Sequence, residues 1–111
     1  LVTDAMAGAG LMDGTYKFAG LEIEISGGVA RGPSGALAGS TLTMIEAVRN
    51  LHALGASLAD AVGAATEVPA RVLRQPAVGR IAVGLPADVV VLTDELEIDR
   101  VLVDGRERVF G

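Results

Sequence analysis

The segment that decides how this chain is read is its first, Leu1–Met6, LVTDAM. Two apolar residues lead into a threonine and an aspartate. This is the pattern of a buried strand that surfaces at its polar C-terminal tip, so Leu1-Val2 reads as the end of a buried strand and Thr3-Asp4 as its tip. A carboxylate at such a tip is either a reactive group or an ordinary turn aspartate, since Asp commonly caps turns and helix starts. The remainder of the chain has to decide between the two.

Working outward, Leu21–Ser26, LEIEIS, alternates strictly and predicts a half-buried strand, with Glu22 and Glu24 on its solvated side. Gly27-Gly28 turns it into Val29-Ala30-Arg31, and a further turn is expected at Gly32–Gly35. In Ser40–Gly55 the apolar residues Leu42, Ile45, Val48, Leu51 and Leu54 recur every three or four positions, the spacing of an amphipathic helix. Ser40 or Thr43 can cap it, the latter with Glu46 in a capping box, and Gly55 ends it. Ser57 with Asp60 opens a second helix, and Pro69 fits the first turn of a short third one. From Val78 the pattern returns to strands: RIAV (80–83), ADVVVL (87–92), IDRVLV (98–103) and ERVF (107–110). Asp104-Gly105 makes the last hairpin, and Val89–Leu92, apolar on both faces, is expected at the centre of its sheet.

Composition narrows the function. The 111 residues suit one domain and are too few for a complete eight-stranded barrel. Asp and Glu (14) outnumber Lys and Arg (9), and aromatics are 3%. A net charge of −5 and few rings for base stacking argue against nucleic acid as a partner. The absence of cysteine excludes disulfides and thiolate zinc sites. No apolar run reaches the length of a membrane span. His52 is the sole histidine, without further ligands at metal spacing, and is expected on a helix surface. Asp88 and Arg71 read as structural residues, of a turn or strand entry and of a helix end.

Three stretches together carry a family resemblance: LVTDAMAGAG (1–10), GALAGSTLTMIEAVRNL (35–51), and PARVL (69–73) followed by VGRIAVGLPADVVVL (78–92) and VLVDGRERV (101–109). They resemble the C-terminal part of the N-acetylglucosamine-6-phosphate deacetylase family, within the metal-dependent amidohydrolase superfamily. The resemblance implies an α/β fold: the last strand and helices of a TIM-like (β/α)8 barrel over residues 1–77, and strands of a small β-sandwich over 78–111. It implies that the chain is a piece of a longer protein whose divalent metal ligands lie upstream, so that LVTDAM begins in mid-strand and the piece alone is inactive. Asp4 is then the general base and acid of amide hydrolysis. Leu37, Ala38 and Gly39 form a loop that contacts the amino-sugar phosphate, largely through backbone groups. A cytoplasmic, dimeric enzyme acting in amino-sugar metabolism is expected. Two alternatives stay open: another amidohydrolase, dihydroorotase-like or adenine-deaminase-like, and a non-catalytic α+β interaction module.

Overall fold

A computed structural model of the chain describes residues 1–109. It is a mixed α/β structure whose sheets are antiparallel, and it divides into two units, Val2–Ala47 and Val48–Gly111 together with Leu1.

The first unit is a four-stranded meander of β1 (Gly14–Phe18), β2 (Leu21–Ser26), β3 (Val29–Arg31) and β4 (Leu37–Ser40), paired in chain order. The alternation of LEIEIS works as expected: Ile23 and Ile25 are buried and, with Ala30, form the core, flanked by Met6, Tyr16 and Ala38. Glu22 and Glu24 are exposed and lie opposite Lys17 and Thr15 in the ladder. The Gly27-Gly28 turn has both residues at positive φ, as a type I′ turn requires. β1 has no counterpart in the sequence reading. It is joined to β2 by Ala19-Gly20, again with two positive φ angles, and Ala is not a residue that announces such a turn. Gly32–Gly35 is a turn as expected, closed by a bond from Gly35 N–H to the Gly32 carbonyl.

α1 (Met44–Ala53) starts at a full capping box. The Thr43 N–H donates to Glu46 Oε2 at 2.8 Å, and the Glu46 N–H donates to Thr43 Oγ1 at 3.4 Å. Its end is a Schellman motif around Gly55, whose N–H donates to the His52 carbonyl while Ala56 N–H donates to that of Leu51. Replacing Thr43 by Ala removes the hydroxyl half of the box and is expected to cost about 1 kcal/mol. A shift in the urea midpoint of the full-length protein measures it, and no shift would show that the box adds nothing.

The second unit contains α2 (Leu58–Ala65), capped by Ser57, whose Oγ accepts from Asp60 N–H. It also contains α3 (Glu67–Val72), with Pro69 in the first turn. A three-stranded sheet follows, β5 (Val89–Leu92), β6 (Ile98–Val103) and β7 (Arg106–Arg108), in that order. Asp104-Gly105 is the expected hairpin turn, both φ positive, with Val103 opposite Arg106.

The structure corrects four sequence expectations. Leu1 and Val2 are exposed and outside any strand, because an extended segment becomes a strand only where a neighbour takes up its backbone groups. Arg80–Val83 stays irregular for the same reason, with Ile81 and Val83 exposed. β5 lies at the edge of its sheet, not the centre, among the described residues. Leu37–Ser40 is a strand, not a loop. Of the expected ERVF strand, Val109 falls beyond β7 and Phe110 lies outside the described residues.

Candidate active site

Asp4 is exposed, and its backbone sits at φ 51, in the left-handed region that costs an L-residue roughly 1–2 kcal/mol and that Asp tolerates better than most. Two backbone hydrogen bonds hold it beside the end of β4. Ser40 N–H donates to the Asp4 carbonyl at 3.3 Å, and Met6 N–H donates to the Ser40 carbonyl at 2.9 Å, a parallel bridge centred on Ala5. The segment containing Asp4 is therefore fastened to the strand that contains Leu37, Ala38 and Gly39. The fold brings together the two stretches that sequence reading singled out, about 35 residues apart in the chain.

Within β4 the three residues differ. The β3–β4 register slips between Ala30, opposite Gly39, and Arg31, opposite Leu37, so Ala38 has no ladder partner of its own. Such bulges bend a strand and re-aim its side chains, and they recur beside active sites. Ala38 packs toward the Ile23, Ile25 and Ala30 core, while Leu37 is exposed. Gly39 has φ +136, and a Cβ there would lie 3.0 Å from Met6 Cβ. Only glycine meets both demands.

Leu37 and Gly39 line an open groove in the first unit with Met12, Asp13, Thr43 and Glu46; Asp4 and Ala38 are not among its lining residues. Two groove features escaped the sequence reading. Asp13 Oδ2 accepts from Gly27 N–H at 2.8 Å, and the Thr41 hydroxyl donates to the Gly28 carbonyl, so the β2–β3 turn is tied at both of its glycines. An aspartate 14 positions from a Gly-Gly turn carries no local signal in sequence, because the contact exists only once the meander has formed.

The other acidic and basic candidates have structural roles. Asp88 Oδ1 accepts from Asp104 N–H at 2.8 Å while Gly105 N–H donates to the Ala87 carbonyl, fixing the last hairpin. Asp88→Ala is expected to cost about 1 kcal/mol and to speed hydrogen exchange at the Asp104 amide; an unchanged exchange rate would refute that role. His52 is exposed in the last turn of α1, with Nδ1 2.8 Å from the Ala56 carbonyl. Arg71 is exposed in the last turn of α3. No cluster of three or more His, Cys, Asp or Glu side chains capable of holding a metal occurs among the described residues. Asp4 supplies one carboxylate, and the described residues do not make up a divalent-metal donor set around it. No helix of the described residues is long and apolar enough to cross a membrane.

Comparison with known proteins decides the family: its amidohydrolase model matches residues 4–108. The chain belongs to the amidohydrolase family. This amidohydrolase is 43% identical over 108 residues to an N-acetylgalactosamine-6-phosphate deacetylase of Escherichia coli O157:H7, with 96% of the chain and 29% of that protein covered. It is 36% identical to an N-acetylglucosamine-6-phosphate deacetylase of Vibrio furnissii, covering 96% of the chain and 27% of that protein. Among solved structures, the Pasteurella multocida N-acetylglucosamine-6-phosphate deacetylase superposes with a TM-score of 0.90 at 28% identity, over 98% of this chain and 29% of that one. The Mycobacterium smegmatis enzyme, crystallised as an aspartate-to-alanine mutant with N-acetyl-D-glucosamine-6-phosphate, superposes at 0.82 with 38% identity, over 96% of this chain and 29% of that one. The amidohydrolase chain thus spans under a third of the length of these relatives, and 65% of a further Escherichia coli relative.

Proposed function

We propose that this amidohydrolase segment serves, within a longer chain, in hydrolysis of the N-acetyl group of N-acetylglucosamine 6-phosphate, giving glucosamine 6-phosphate and acetate. The observation that carries the reading is the likeness to the Mycobacterium smegmatis deacetylase bound to that sugar, which extends over nearly the whole chain. Residues 1–77 would close the barrel and residues 78–111 would supply sandwich strands; the edge of β5, unpaired among the described residues, and the exposed Ile81 and Val83 support the latter. A divalent metal would be held by side chains outside this segment. The assembled enzyme would be a cytoplasmic homodimer, and the segment by itself inactive.

Asp4 would act as base and then acid. Its carboxylate takes a proton from water as the water oxygen bonds to the acetyl carbonyl carbon, and returns the proton to the nitrogen as the C–N bond breaks. Leu37, Ala38 and Gly39 would contact the sugar. The groove that Leu37 and Gly39 line, and the bulge that re-aims β4 beside it, support that contact.

A second reading concerns the sugar. The 43% identity to a deacetylase named for N-acetylgalactosamine 6-phosphate favours the C4 epimer as substrate. Acetate release by the full-length enzyme on both epimers separates the two. A kcat/KM at least about tenfold higher for one assigns it, a ratio worth ~1.4 kcal/mol in transition-state binding. Turnover of neither, by a metal-replete enzyme, would sink the deacetylase reading and return the other amidohydrolase reactions to the front.

A further inference from the structure

We propose that Met6 is a positioning residue for the Asp4 carboxylate, an inference that rests on the reading of Asp4 as the catalytic base. Asp4 occupies a backbone conformation that few L-residues adopt, and such conformations persist only where the surroundings over-determine them. Its own side chain contributes no hydrogen bond to the described residues, so the constraint has to come from its neighbours.

Met6 is tied at three points. Its N–H donates to the Ser40 carbonyl at 2.9 Å, and its carbonyl accepts from Ala9 N–H at 3.0 Å. Its side chain packs on the core of Ile23, Ile25 and Ala30. The fit to β4 is close enough that a single added carbon at Gly39 would stand 3.0 Å from Met6 Cβ and 3.5 Å from its Cγ. Ala5, between Asp4 and Met6, is exposed and has no such anchor. Met6 is thus the nearest residue after Asp4 whose side chain reaches the core. Shortening it would remove the packing tie and leave only the backbone bonds to hold the segment, so the carboxylate gains room to wander, and a displacement near 1 Å at a reacting group is worth on the order of a hundredfold in rate.

The test uses the full-length enzyme with Asp4→Asn, Met6→Ala, Met6→Leu and Met6→Val. Steady-state kinetics are normalised to the folded fraction from circular dichroism. Met6→Ala should lower kcat about tenfold or more with KM within about twofold of wild type, because Met6 is not placed against substrate. Met6→Leu, which conserves volume, should restore kcat to within about threefold. If Met6→Ala does not accumulate as folded protein, Met6→Val should show the same kcat-selective loss at smaller size. A kcat within about twofold of wild type in Met6→Ala or, failing that, in Met6→Val, a loss confined to KM, or a Met6→Leu enzyme as impaired as Met6→Ala would each overturn the proposal. Asp4→Asn keeps the two claims apart. If it abolishes turnover while Met6→Ala does not reduce it, only the positioning role fails. If Asp4→Asn itself leaves kcat within a few-fold of wild type, the base assignment fails and takes the positioning role with it.

Discussion

Asp4→Asn in the full-length enzyme is expected to lower kcat by about a hundredfold to ten-thousandfold, the span that a positioned general acid–base contributes. The exchange is nearly isosteric, and the backbone bonds from Ser40 to Asp4 and from Met6 to Ser40 do not involve the carboxylate. Asn also tolerates the left-handed φ of 51 that this position demands. Stability should therefore change little, and the rate loss reads as chemistry. What the amide lacks is the capacity to accept the water's proton and return it to the departing nitrogen. Single-turnover measurement of acetate release separates this loss from slowed product release. A mutant within a few-fold of wild type would move the base elsewhere, and the exposed end of the Leu1–Met6 segment would be an ordinary turn.

Gly79→Ala should be strongly damaging for folding. Gly79 adopts φ +84, and a Cβ there would stand 2.8 Å from both the Thr66 carbonyl oxygen and Ala70 Cβ. The first obstacle is backbone at the N-cap of α3, and the second is a buried side chain on the same helix. Neither can swing aside as the end of a long side chain would. Backbone strain alone costs about 1–3 kcal/mol, and the displacement of α3 adds to it. Urea denaturation of the full-length protein should show a midpoint lowered accordingly, with Gly84→Ala as the control. Gly84 shares a positive φ, +88, but has open space where a Cβ would go. Equal losses at the two positions would mean that conformation alone, not the approach of α3, fixes glycine at 79.

Much of this architecture was legible in the residues, and the unreadable parts have a common cause. LEIEIS, the Thr43–Glu46 box, Ser57 with Asp60, and Asp104-Gly105 are local devices: each needs only its own few residues to declare itself, and each appears as expected. Sequence misleads where the outcome depends on a distant neighbour. Arg80–Val83 has strand composition, yet no partner among the described residues takes up its backbone. Leu37–Ser40 looks like a small-residue lead into a helix and is a strand because β3 and the Ala5 bridge flank it. Gly14–Phe18 does not declare itself, because its turn is Ala-Gly, a pair without a strong signature. At the candidate site, Asp4 and Gly39 stand out only through family resemblance. Met6, which joins them, has no chemistry to advertise, and only its position in space identifies it.

The meander also has a kinetic consequence. Every pairing in both sheets joins strands that are neighbours in sequence, and three of the connections are two-residue turns. Loops this short close at small entropic cost, and hairpins of this kind assemble in about 1–10 μs. The parallel bridge between Ala5 and Ser40 is different, since it must close a loop on the order of 35 residues. Its contacts gain most once β1 to β4 already stand as a template, so the segment bearing Asp4 is expected to dock late on the folding route. In that order the meander is completed before the Asp4 segment is set in place. Substitutions at the bridge would then chiefly speed unfolding, while substitutions at Gly27-Gly28 or Ala19-Gly20 would slow folding.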